Sequence, residues 1–385
     1  MQRYKRKIAL GLKFVKESHK NPFALAWDYY TLKRKKGLMF NEYYSYCFDQ
    51  QSDLFRKTFL GRNEQRLYLD YLNPKKYYTL ARNKYFTHLL LEEYSIPKAK
   101  LYCYYSPEGR YSDQGRTSND LQSTIAILKK ESVCTCVIKA TEDSHGNNVF
   151  AVKNIEYTDD DAILTLLDNA TIKLSNVLGK TALVFEEIIY QSAQFEKFNK
   201  TSVNTVRFMT CLYPNGEAKV IATFIKIGRD GAFVDNAGSG GNVDAGVEVS
   251  SGKIYNPIIF KGFRETVNID KHPDSKAQLA NVVIENWDKI CAEVCRFQQS
   301  MPFVKAVGWD IAITDDGPKV IEMNDFWDTT GQLFIGKGWR EEIRECYFRW
   351  KEYNSKYNIE YIFGRKINTL SASKSRKIIN YDFRK

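Results

Sequence analysis

Residues 308–324 read GWDIAITDDGPKVIEMN and place three oxygen-bearing side chains at spacings that can converge. Two β-prone runs, 308–314 and 318–324, flank Asp315-Asp316-Gly317, a turn signal of the Asp-Gly kind. With those three residues as the loop, Asp310 lies opposite Glu322. Asn324, two residues on, shares the face of Glu322. Ile311, Ile313, Ile321 and Met323 then take the other face, where a core belongs. Two carboxylates and a carboxamide on one surface suit a hard cation such as Mg²⁺, with phosphate oxygens and water completing its shell. The alignment depends on register, because a two-residue loop would move the partner by one. The alternative is a solvated hairpin with a polar wet face, against which Trp309 and Phe326 argue.

Other residues could meet an anion. Lys139 ends a β-rich run, 134–140, among apolar neighbours. A lysine there needs a counter-charge, and a nucleotide phosphate would supply one; a lysine snorkelling at a sheet edge is the other reading. A second run, 149–156, follows after Asp143-Ser144-His145-Gly146-Asn147-Asn148. Backbone amides in such a loop can hold phosphate, although a plain hairpin explains the same residues. Glu186-Glu187 closes a third run, 182–189, where exposed backbone and a carboxylate could meet adenine. A longer loop, 229–241, carries Asn236 and glycines at 238, 240 and 241, which permit close approach to a ligand. It matches neither a dinucleotide fingerprint nor a Walker loop.

The elements that must position these groups change texture along the chain. The first ~75 residues are helical in pattern. Ile8, Leu12 and Val15 recur among lysines, a basic amphipathic stripe. The spacing predicts another helix from Asn83 to Tyr94, ended by Ser95-Ile96-Pro97. The three β-runs, with segment 163–174 between them, make a small antiparallel α+β unit. Asn204-Thr205-Val206-Arg207 opens a further sheet, 217–228 continues it, and 278–300 is an amphipathic helix leading into the hairpin. The chain is helical again after Gly338.

At 385 residues the chain is long enough for two or three domains. No apolar run approaches the roughly 18 residues of a membrane span. Eight scattered cysteines lack zinc spacing and read as buried thiols of a reducing, cytoplasmic compartment. The net charge of +11 sits at the ends: residues 1–20 and 365–385 each hold seven Lys/Arg against one acid. Such ends could meet an anionic bilayer or be solvated tails; no nucleic-acid module accompanies them.

Taken in order, these pieces resemble the ATP-grasp superfamily: a strand lysine, a small-residue loop, an acidic hinge strand, an arginine, a glycine-bearing loop, then Asp310…Glu322-x-Asn324. Asn83-Lys84, Ser202-x-Asn204-Thr205-x-Arg207, Asp235-Asn236…Gly240-Gly241 and Gly308-Trp309-Asp310 further resemble the sugar-transfer associated ATP-grasp proteins of polysaccharide (capsule) biosynthesis. The resemblance implies an α+β fold with two subdomains gripping ATP. Its divisions would be a helical extension (1–75), an N-terminal lobe (76–125), a lid (126–190), a C-terminal subdomain with the metal site (191–364) and a basic tail (365–385).

The resemblance also implies roles. Lys139 and Lys84 would touch phosphates, and residues 144–148, with Ser144 and Gly146, would form the lid loop. Glu186, Glu187 and backbone near Ile188 would read adenine, with Gln191 or Gln194 at the ribose. Arg207, Lys226 and Asn236 would stabilise the transferring phosphoryl group. Asp310, Glu322 and Asn324 would hold one or two Mg²⁺, for which Mn²⁺ can substitute. The departures are a lid loop with one glycine and a lysine at 226 where the peptide-ligase branch often has arginine.

The implied activity is ATP-dependent, ADP-forming carboxylate–amine ligation through an acyl-phosphate, joining an amino acid or amine to a sugar acid or glycan precursor. The rivals are an ATP-grasp kinase acting on a hydroxyl and a non-catalytic nucleotide- or glycan-binding partner of a glycosyltransferase. The expected location is cytoplasmic, with peripheral contact at the inner membrane face through the basic termini.

Overall fold

The structure is a computed structural model that describes residues 2–108, 115–142, 149–231, 241–262 and 264–356. Expectations for Ser144, Gly146, Asn236 and the basic tail lie outside the described residues.

The helical N-terminus forms as its pattern predicts: α1 (Gln2–Ser18), α2 (Pro22–Lys36), α3 (Phe40–Ser45), α4 (Asp53–Thr58) and α5 (Arg62–Leu72). Local chemistry fixes the ends. The Asn21 side chain accepts from the amides of Phe23 (2.9 Å) and Ala24 (3.3 Å), and Pro22 starts α2. Gly37 ends it at φ 64°, a left-handed conformation that glycine adopts without strain. Phe14, Tyr43, Tyr44, Phe48, Phe55 and Phe59 pack as an aromatic cluster beneath these helices. Two further helices, α6 (Thr79–Arg82) and α7 (Lys84–Glu93), follow, with Asn83 capping α7.

The first sheet runs through β1 (Leu101–Tyr105), β2 (Thr117–Ser118), α8 (Leu121–Lys130), β3 (Cys136–Ala140), β4 (Val149–Tyr157), β5 (Ala162–Leu166), β6 (Thr171–Lys173), α9 (Leu174–Val177) and β7 (Leu183–Glu186). Its strand order is β2-β1-β7-β3-β4-β5-β6. A boundary at 125/126 therefore cuts this sheet, because β1 pairs with β7 and shares one apolar core with β3 and β4.

A short α10 (Ala193–Glu196) leads to the second sheet. It comprises β8 (Thr205–Leu212), β9 (Ala218–Ile227), β10 (Val243–Val247), β11 (Ile254–Gly262) and β12 (Glu265–Asn268). After α11 (Trp287–Gln299) come β13 (Ala306–Thr314), β14 (Gly317–Asn324), α12 (Gly331–Ile335) and α13 (Arg340–Lys356). The order is β12-β11-β10-β9-β8-β13-β14, with neighbours antiparallel. Val206, Phe208, Ile225, Trp309 and Ile311 alternate onto one face and pack with Ile290, Val294 and Phe297 of α11. The amphipathic pattern predicted a helix over 278–300, but residues 278–286 stay outside it. Asn281 (φ 67°) and Asn286 (φ 56°) take left-handed backbone, and the Gln278 amide group bonds the Asp270 and Ala280 carbonyls.

The segment just past the hairpin is clamped by the N-terminal helices. Arg82 forks onto Asp325 (2.9 and 2.7 Å), Gln65 donates to the Trp327 carbonyl (2.7 Å), and Thr329 donates to buried Glu42 (2.6 Å). Asn73 is fully buried, donates to the carbonyls of Ala306 (2.6 Å) and Asp325 (2.7 Å), and accepts from the amides of Lys305 and Ala306. Asn73→Ala would take a hydrogen bond from four backbone groups, of which the Lys305 amide keeps a second acceptor, the Leu72 carbonyl at 3.3 Å. We expect a loss of about 3 kcal/mol, read as a lower midpoint of denaturant unfolding with unchanged slope.

Candidate active site

The hairpin that carries Asp310 and Glu322 forms with a register that its turn residues do not predict. Gly308, Trp309 and Asp310 oppose Asn324, Met323 and Glu322, but Ile311 opposes Val320 and Thr314 opposes Gly317. The loop is Asp315-Asp316, two residues and not three, with Gly317 starting β14 at φ 115°. The carboxylates nevertheless align, because one extra residue, Ile321, is absorbed as a bulge. The bulge also redistributes faces. Val320 joins Ile311, Ile313 and Met323 in the main core, whereas Ile321 packs near Ala99 and Ile189.

Asp310 is buried beneath two cations. Arg207 lies directly across the ladder on β8 and forks onto the carboxylate, with Nε to Oδ1 and Nη2 to Oδ2 both at 2.6 Å. Lys226 Nζ, from β9, reaches Oδ1 at 2.9 Å. Burial pushes the Asp310 carboxyl upward in pKa, but the two cations outweigh it and hold the group well below the ordinary carboxylate range. Glu322, half-buried, sits opposite Asp310 on the outer strand, and the Asn324 amide donates to the Gly308 carbonyl at 3.2 Å. One further acid belongs to this face. Asp244, fully buried on β10, stands across the ladder from Lys226. Its signal was available in the sequence: an aspartate in the apolar run Val243-Asp244-Ala245-Gly246-Val247.

Lys139 finds its counter-charge within the protein. Its Nζ lies 2.7 Å from Glu186 Oε2, a counter-charge that neither the phosphate nor the snorkelling reading of this lysine named. The two residues are near neighbours because Val137 pairs with Glu186 and Lys139 with Val184 on β7. The other Glu186 oxygen is 2.9 Å from His88 Nε2 on α7. Burial raises the Glu186 pKa, Lys139 and His88 lower it more strongly, and it falls to about 2. His88 was missed by sequence reasoning; its Nδ1 is buried with no hydrogen-bond partner among the described residues.

A narrow cleft of about 30 Å³ lies between the two sheets, and Asp310, Arg207, Lys226 and Asn324 are not among the residues that line it. Lys84, His88, Lys139 and Glu186 line it from one side, and Ile321 and Glu322 from the other. Ile189 lines it too, while Glu187 and Ile188 do not; the Glu187 carboxylate accepts from the Lys100 amide at 3.2 Å. The glutamines expected at a ribose are committed elsewhere. Gln191 donates to the Asn199 and Ser202 carbonyls and accepts from Asn204, and Gln194 bridges Val283 and Glu285.

Among the described residues no three His, Cys, Asp or Glu side chains gather as a metal cluster. Asp310, Glu322 and Asn324 offer oxygen donors of the type Mg²⁺ takes, so the set fits a cation in chemistry. Asp310 can join it only where Arg207 and Lys226 share its oxygens or find another anion.

The profile of the sugar-transfer associated ATP-grasp family matches residues 63–346, most of the chain. The chain belongs to that family. No curated protein matches it. Among solved structures it is similar to the ATP-grasp ligase PsnB complexed with minimal precursor, Mg and ADP (12% identity, 73% of this chain and 62% of that one, TM-score 0.35). It is also similar to the VanG D-Ala:D-Ser ligase of Enterococcus faecalis (12%, 70% and 62%, TM-score 0.39). A third similarity is to N5-carboxyaminoimidazole ribonucleotide synthetase of Thermotoga maritima (13%, 72% and 52%, TM-score 0.39). The chain spans less than two thirds of the length of each of these three.

The depressed Glu186 pKa makes a stability prediction. Its ion pair contributes fully above the ordinary glutamate value of 4.5 and is lost as pH falls toward about 2. Melting temperature should drop over that window in the native protein, and Glu186→Gln should flatten this part of the profile. Asp310→Asn should be more damaging, removing the buried carboxylate that Arg207 and Lys226 share at a cost of about 3–5 kcal/mol in urea unfolding.

Proposed function

We propose that this ATP-grasp protein is an ATP-dependent, ADP-forming carboxylate–amine ligase. The observation that carries the reading is the shared cleft, which brings Lys84, Lys139, His88 and Glu186 together with Glu322 of the opposite sheet. In it, Lys139 and Lys84 bind the ATP phosphates, covered by the loop with Ser144 and Gly146 that connects β3 to β4. Glu186, supported by Glu187 and backbone near Ile188, faces the adenine amino group. His88, through the contact of its Nε2 with Glu186, holds that carboxylate in place.

Asp310, Glu322 and Asn324 hold one or two Mg²⁺, with Mn²⁺ able to substitute; the ion supplies charge neutralisation at the phosphates. Arg207 and Lys226, with Asn236, stabilise the phosphoryl group in transfer. A substrate carboxylate oxygen attacks the γ-phosphorus, the β–γ bridging P–O bond breaks, and ADP leaves. An amine then attacks the acyl carbon, the C–O bond to phosphate breaks, and the amine loses a proton to solvent as the amide forms. The family's sugar-transfer association supports a sugar acid or glycan precursor as one partner; the proposal adds an amino acid or amine as the other, on the cytoplasmic side during polysaccharide (capsule) synthesis.

Incubating the protein with ATP, Mg²⁺ and a panel of uronic acids and amino acids plus hydroxylamine should yield a hydroxamate. ADP release without hydroxamate would mark a kinase instead. Glu322 is in no ion pair among the described residues, so Glu322→Gln should leave the circular-dichroism melt unchanged. It should lower ADP release by about a hundredfold or more. Retained turnover in that variant would remove Glu322 from the site.

A further inference from the structure

The second helix presents an aromatic stripe to solvent. Phe23, Trp27 and Tyr30 are 84%, 70% and 53% exposed. Their spacing of four and three puts them on one face of α2, roughly 10 Å long. The Trp27 and Tyr30 rings stack on each other at 5.8 Å, supported by no core residue on their outer side. The helix is not loosely attached. Its opposite face buries Leu25 and Leu32 against the aromatic cluster, Tyr29 packs edge-on to Phe40, and both ends are capped. The stripe is therefore held outward by the fold, where three large rings in water are costly.

Charge around the stripe identifies what covers it. Residues 1–36 hold eleven Lys/Arg against two Asp/Glu, a net charge of +9. Both acids are consumed internally. Asp28 accepts from Arg56 (2.6 Å) and Tyr43 (2.8 Å), and Glu17 meets Lys13 (3.5 Å), Tyr44 (3.2 Å) and Arg264 (3.7 Å). Lys33, Arg34 and Lys35, at the Tyr30 end of the helix, remain exposed, as do Lys13 and Lys16 on α1. Phe, Trp and Tyr rimmed by Lys and Arg are the side chains that sit at the headgroup level of a bilayer. Among the described residues no helix is long and apolar enough to span one.

We infer that α2 lies on an anionic membrane surface, with Phe23, Trp27 and Tyr30 entering the headgroup layer and Lys33–Lys35 meeting lipid phosphates. This replaces the α1 stripe as the apolar anchor. Phe14 of α1 is buried and Val15 packs on the same cluster, which leaves Leu12 alone outward among its described apolar residues in that stripe. The inference is independent of the ligase reading, because lipid binding is measured without ATP.

The full chain should co-sediment at low salt with vesicles of phosphatidylserine and phosphatidylcholine, and not with phosphatidylcholine alone. The triple variant Phe23→Ser, Trp27→Ser, Tyr30→Ser should lower partitioning about tenfold or more while its melting temperature and oligomeric state stay unchanged. Lys33→Glu, Arg34→Glu and Lys35→Glu together should do the same, and added salt should mimic them. Native binding that persists in the aromatic variant, or is removed only by deleting 366–385, overturns the assignment. So does a native dimer that the aromatic variant converts to monomer, which would make a second copy the occupant.

Discussion

The buried ion triad of Asp310, Arg207 and Lys226 is the constraint on which the second lobe depends. Three charged side chains on neighbouring strands would each be expensive to desolvate alone. Set together, they fix the relative register of β13, β8 and β9, because a one-residue slip would send any of them to the apolar face that packs on α11. That same register decides where Glu322 stands. The bulge at Ile321 then lets a two-residue turn coexist with an aligned Asp310–Glu322 pair. The chemistry of the site is thus written into strand pairing before any ligand is considered.

The helical N-terminus acquires a structural role from the same argument. A carboxylate hairpin at a sheet edge needs a rigid continuation, and residues 325–330 provide it only because Arg82, Asn73, Gln65 and Glu42 hold them. Glu42 shows how tight that hold is. Its carboxylate accepts from the amides of Met39 and Arg62 as well as from Thr329, tying the start of α3, the start of α5 and the post-hairpin segment to one side chain. Burial raises its pKa, while those hydrogen bonds act in the opposite sense. The remaining faces of these helices are free for other work, which is where α2 carries its outward rings.

Much of this was legible in the sequence, and the failures have physical causes. The helical texture of the first ~75 residues, helices α7 and α13 and the three β-runs of the first sheet follow from period and punctuation, whereas the Asp310–Glu322 pairing is reached from a three-residue turn that does not form. The turn length does not follow, since Asp-Asp-Gly supports either a two- or a three-residue loop and only the bulge reconciles it with the pairing. The helix over 278–300 was overread because apolar spacing continues through residues whose backbone turns left-handed at Asn281 and Asn286. Long-range partners were invisible: Lys139 needed an anion, and nothing local names Glu186, 47 residues away, as that anion. His88 looks like an ordinary helix residue until tertiary pairing buries it against Glu186, whereas Asp244, an aspartate in an apolar run, could have been found.

Both sheets follow one electrostatic design. Lys139 is held by Glu186, and Arg207 with Lys226 by Asp310, so these three cations proposed for a phosphate already have a carboxylate. Those acids offset the cost of burying the lysine and arginine charges, since burial alone drives a lysine toward neutrality. With them, the side chains stay charged, stay in place and keep donor capacity beyond the carboxylate they hold: Lys has three N–H groups and Arg has five. In the proposed ligase, an incoming polyphosphate would meet oriented donors and add to existing pairs, so little reorganisation would stand between binding and a productive geometry.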